Sequence, residues 1–131
     1  SPFMWKKMFE IIPSDYFGLS YDPSHLYLQR MDYLKPLKEF KDKIFHIHFK
    51  DIRLFNDLID EYGVFTYPLR YMKPKIPGEG GIDWKLFVEE LKKIDYQYHA
   101  CVEIEDKDYE DSFESVKKAI KNSFDNVIKY F

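Results

Sequence analysis

FHIHFKD, residues 45–51, is the stretch on which the fold turns. Phe45, Ile47 and Phe49 share one parity, while His46, His48 and Lys50 share the other. Side chains alternate faces along a strand, so a strand here has one apolar face and one face of imidazoles and an amine. Two further segments repeat the pattern. In GLSYD, 18–22, Leu19 and Tyr21 oppose Ser20 and Asp22. In HACVEIE, 99–105, Ala100, Val102 and Ile104 oppose Cys101, Glu103 and Glu105.

Helical patterns separate these segments. Ser1 and Pro2 read as an N-cap and first helical residue, and Pro13 ends that helix. Leu28, Met31, Leu34, Leu37 and Phe40 carry a helical pattern over 26–43, interrupted at Pro36. Asp83 reads as the cap of a helix whose Trp84, Phe87, Val88 and Leu91 recur on one face. The last helix, about 112–130, carries a stripe of Phe113, Val116, Ile120, Phe124, Val127 and Ile128. Residues 53–81 read as one long connection rich in aromatics, which suits a lid. Its PGEGG, 77–81, lacks the Lys-Ser/Thr of a phosphate-binding loop and reads as a tight turn.

Strands alternating with helices predict a parallel α/β sheet. Strands covered on both faces of such a sheet read as continuous apolar runs, and these three do not. A closed barrel reconciles the two facts: the apolar parity lies under the helices, and the polar parity faces the lumen. The C-terminal ends of the strands then carry Asp22, His48, Lys50, Glu103 and Glu105. That end is where barrel active sites are built. Carboxylate, imidazole and carboxylate from neighbouring strands are ligands for a divalent ion.

The chain's 131 residues fit one domain, with 45% hydrophobic residues to form its core. A net charge of −3 and a pI near 5.8 give no general attraction to nucleic acid or to an anionic membrane surface. No apolar run approaches the roughly 20 residues of a membrane span. The first residues lack the pattern of a signal peptide. Cys101 is the only cysteine, so no intrachain disulfide forms, and a cytoplasmic location is expected. Cys101 itself reads as a small core residue.

Five segments, in order, resemble the xylose isomerase-like TIM barrels, a family that includes ketose epimerases, inosose isomerases and dehydratases, and endonuclease IV. They are SPFMWKKMFEII, GLSYDPSHL, FHIHFKD, PGEGGIDW and VEIED. The resemblance implies strands six to eight of a (β/α)8 barrel with their flanking helices. A whole barrel takes about 250 residues, so residues 1–131 are expected to form a single partial barrel domain.

By that resemblance Asp22, His48 and Glu103 are metal ligands, and Glu103 is also the catalytic proton carrier. His25 and Arg53 bind substrate oxygens, while His46, Lys50 and Glu105 lie just behind the ligands. The implied cofactor is one divalent ion, Mn²⁺ or Mg²⁺ first, with Zn²⁺ or Co²⁺ as alternatives. The implied chemistry is isomerisation or epimerisation of a small sugar or polyol. A further carboxylate ligand and the second proton carrier belong to a fifth strand, so the isolated chain is expected to turn over weakly or not at all. Self-association, or an N-terminal barrel portion, is expected to complete the sheet.

Two rival readings remain. An endonuclease IV-like enzyme needs an Asp-x-His pair ahead of the glycine turn, where this chain has Met72, Lys73 and Pro74. A non-catalytic fragment that only assembles is the other.

Overall fold

The computed structural model describes residues 1–131. Helix α1, Pro2–Ile11, starts at Ser1 and leads to strand β1, Leu19–Tyr21. Asp22 caps α2, Pro23–Leu28, by accepting a 2.8 Å hydrogen bond from the Ser24 amide. The helical pattern expected over 26–43, interrupted at Pro36, is two short helices whose break falls earlier, at residues 29–34, with Pro36 inside the second. Arg30, at φ 59°, ends the first. The Asp32 carboxylate then accepts from the Leu34 and Lys35 amides at 2.8 and 2.9 Å, starting α3, Lys35–Glu39.

Strand β2, Ile44–Phe49, follows a 3-10 turn at Lys41–Lys43. It lies between β1 and β5, His99–Val102, and both pairings are parallel. Ile44, Ile47 and Phe49 are buried against α5, Trp84–Lys93, whose Trp84, Phe87, Val88 and Leu91 complete the core as the spacing predicts. Phe49 meets Trp84 and Phe87 at ring separations of 5.2 and 6.1 Å. Tyr21 is buried in the same cluster, and its hydroxyl donates to the Tyr33 carbonyl at 2.7 Å. Phe45 is only half-buried, beside Tyr98 at the sheet's N-terminal end.

The 53–81 connection is not a bare loop. Strand β3, Asp51–Leu54, pairs antiparallel with β4, Met72–Lys75, and α4, Asn56–Tyr62, lies between them. Two buried carboxylates hold this excursion down. Asp51 accepts from the amides of Ile52, Gly78, Gly81 and Ile82 and from the Trp84 indole, at 2.8–3.1 Å. Asp106 accepts from Lys75 Nζ at 3.2 Å and from the Ile76 amide at 3.3 Å. Gly80 packs against Asp51 so closely that an added Cβ would collide with its carboxylate.

Helix α6, Phe113–Ile128, follows a 3-10 turn at Lys107–Tyr109. Its core face differs from the expected stripe. Ala119, Ser123 and Val127 are buried, while Phe113, Ile120, Phe124 and Ile128 are 46–72% exposed. The reason is positional: the small-residue face sits against the sheet, and nothing in the chain covers the larger apolar face. The outer edges of β1 and β5 likewise have no strand neighbour. No helix is long and apolar enough to cross a membrane.

Candidate metal and proton-transfer site

The parallel register lines the polar parities up. Tyr21 pairs with Ile47, and His48 pairs with Cys101. One step past the first pair, Asp22 and His48 therefore project from the same side of the sheet. Glu103 continues β5 by one residue, its amide donating to the Phe49 carbonyl at 3.1 Å.

At this end His48 Nδ1 meets one oxygen of Glu103 in a very short contact. Lys50 Nζ donates to the other oxygen of Glu103 at 2.9 Å and to Glu105 Oε2 at 2.7 Å. The Lys50 ammonium is the largest influence on Glu103. It holds that carboxyl below the usual glutamate range, aided by His48 and opposed by partial burial. Burial disfavours the charge on Lys50, but hydrogen bonds to Glu105 and Glu103 outweigh it and raise its pKa. Glu103 is thus an ionised carboxylate held between an imidazole and an ammonium.

Asp22 is buried, with its second oxygen 3.4 Å from Nε2 of His25, which is exposed in the first turn of α2. The donor atoms of Asp22, His48 and Glu103 do not all fall within 4.8 Å of one another, whereas those of His46, His48 and Cys101 do. Arg53 donates to the Glu79 carbonyl at 2.6 Å, so its guanidinium ties β3 to the rim turn. His46 lies beside His48, ring centroids 5.0 Å apart, with Nε2 3.2 Å from Cys101 Sγ. Cys101 is exposed on this polar face and is not the core residue expected. Asp51, next to Lys50, turns away from the site into its own nest of donors. Its role was hidden in the sequence because its partners lie 27–33 residues downstream.

One imidazole nitrogen and two carboxylates on one face suit a divalent cation. His48 Nδ1 and a Glu103 carboxylate oxygen already face each other.

The profile of the xylose isomerase-like TIM barrels matches residues 1–125. The chain belongs to this family. Similar curated proteins include an inosose dehydratase of Bacillus velezensis, 30% identical over 103 residues, or 69% of this chain and 31% of that one. An inosose dehydratase of Lacticaseibacillus casei is 33% identical over 112 residues, or 82% of this chain and 37% of that one. The chain therefore spans about a third of the length of these relatives. Among solved structures, the IolI protein with a bound zinc atom superposes with a TM-score of 0.70 at 26% identity, covering 95% of this chain and 42% of that one. β1, β2 and β5 with their helices are thus part of a TIM barrel, with the polar ends of the strands at the family's active-site end.

Proposed function

We propose that this chain forms the C-terminal part of a metal-dependent enzyme that moves a proton at the carbon beside the carbonyl of a small sugar or polyol, as an isomerase or epimerase. The observation that carries the proposal is the His48–Glu103–Lys50 network at the ends of two adjacent parallel strands. Asp22, His48 and Glu103 would hold a divalent ion. When bound, it supplies Lewis-acid polarisation of the substrate carbonyl.

Glu103 takes or returns the proton, and it must be ionised to accept one. Lys50 keeps it so through the 2.9 Å hydrogen bond. His25, 69% exposed at the mouth, and Arg53 bind substrate hydroxyls. The second proton carrier and a fourth ligand come from strands that complete the barrel, either in another copy of the chain or in an N-terminal portion.

The names of the relatives favour a second reading. An inosose is a polyol ketone. Its dehydration starts with the same proton removal beside a carbonyl and ends with loss of a neighbouring hydroxide. Glu103 serves either course.

The test is uptake of solvent deuterium beside the carbonyl of a ketose or an inosose, followed by proton NMR with Mn²⁺ present. It is run on the chain alone and on the barrel completed by whichever partner supplies the remaining strands. Exchange in the completed barrel that disappears in Glu103→Gln supports the proposal. Exchange undiminished by that change, or none with any such ketone, refutes it.

A further inference from the structure

One level deeper on the polar face lies a cluster that the proposed chemistry does not use. Cys101 and His48 are register partners on adjacent strands, and His46 precedes His48 by two residues on the same face. Their donor atoms lie within 4.8 Å of one another, and His46 Nε2 stands 3.2 Å from Cys101 Sγ. Around a tetrahedral zinc, sulfur at about 2.3 Å and nitrogen at about 2.0 Å from the metal place the two donors roughly 3.5 Å apart. The His46–Cys101 separation needs only a slight opening to reach this. In the chain alone Cys101 is exposed and the two histidines are half-buried, so an ion can reach them without unfolding the sheet.

We propose that His46, His48 and Cys101 form a binding site for a thiophilic divalent ion of the zinc class, distinct in its ligands from the Asp22–His48–Glu103 set. The thiol decides the chemistry. Thiolate and imidazole select zinc-class ions, whereas Mg²⁺ and Mn²⁺ prefer oxygen-rich surroundings. Three protein ligands leave a fourth position open to water. Binding requires the thiol to give up its proton to solvent as the sulfur–metal bond forms. Because His48 belongs to both sets, a thiophilic ion bound here takes that imidazole from the other site. Zinc-class ions therefore compete with Mn²⁺ although the two sites differ in every other ligand.

The experiment is titration of Co²⁺, as a spectroscopic stand-in for zinc, into the reduced full chain without oxygen. The expected result is one ion per chain, a sulfur-to-cobalt charge-transfer band in the near ultraviolet, and displacement by Zn²⁺. Cys101→Ser should abolish the band, and His46→Gln should weaken binding by at least about tenfold. Asp22→Asn should leave the band unchanged. No band in the wild-type chain, or a band that survives Cys101→Ser, overturns the proposal. Cobalt bound without a sulfur band and lost in Asp22→Asn would refute this site while leaving the oxygen-rich one standing. A sulfur band with no Mn²⁺ binding would do the reverse.

Discussion

Replacing Asp51 with alanine should be among the most damaging single changes in the molecule, although no chemistry is assigned to it. The residue is fully buried and accepts five hydrogen bonds, four from backbone amides and one from the Trp84 indole. Hydrogen bonds to a charged group contribute about 1.5–3 kcal/mol each, but they are not additive. The Gly81 amide also has the Ile52 carbonyl at 3.0 Å, so it is not orphaned. The Ile52, Gly78 and Ile82 amides and the indole lose this acceptor, and water that replaces it must enter a packed turn. The expected loss is about 3–5 kcal/mol, in the range for buried networks robbed of their charged partner. Asp51→Asn keeps the volume but turns an amino group toward donors, so about 2–4 kcal/mol is expected. Urea unfolding followed by tryptophan fluorescence measures both, and the Trp84 indole proton in NMR reports the local bond. A loss below about 1 kcal/mol for the alanine variant, with the indole resonance unmoved, would refute the view that this carboxylate organises the rim.

The Lys50–Glu103 pair makes stability depend on pH. The folded carboxyl is depressed, so its contribution is fully present above the unfolded glutamate value of about 4.3 and fades as pH falls through the lower folded value. Lys50→Met should raise the Glu103 carboxyl toward the ordinary range in a carbon-13 NMR titration; an unmoved midpoint would mean that Lys50 is not the dominant influence. The open edges of β1 and β5, with the uncovered Phe113, Ile120, Phe124 and Ile128 face of α6, lead us to expect self-association of the isolated chain. Light scattering should show species larger than one chain, reduced by Ile120→Lys with Phe124→Lys. A strict monomer with a cooperative thermal transition would contradict that expectation.

Much of the fold is legible because alternation and helical spacing are local. Ile47 and Phe49 are buried as their parity requires, and Asp83 caps α5 through the Leu86 amide at 3.0 Å. What escapes the sequence is set at a distance. β3 and β4 have four residues each, and β4 contains Pro74 between two lysines, so neither carries a strand signal. They pair as a short antiparallel ladder, one end of which Asp51 and Asp106 tie down through donors at remote positions. The exposed stripe of α6 is an apolar pattern without a partner in this chain, and periodicity cannot tell a covered face from an uncovered one. Parity places Asp22, His48 and Glu103 on one face, but it does not reveal that Glu103 is clasped by Lys50 or that Cys101 stands open beside His46.

Mn²⁺ titration monitored by electron paramagnetic resonance bears most directly on whether Asp22, His48 and Glu103 can share one cation. The expected outcome is one Mn²⁺ per chain with coupling to a single imidazole nitrogen. That coupling should vanish in His48→Gln and persist in His46→Gln, with affinity at least about tenfold weaker in Asp22→Asn and Glu103→Gln. Mn²⁺ affinity unchanged by all three ligand substitutions, or nitrogen coupling retained without His48, would contradict it.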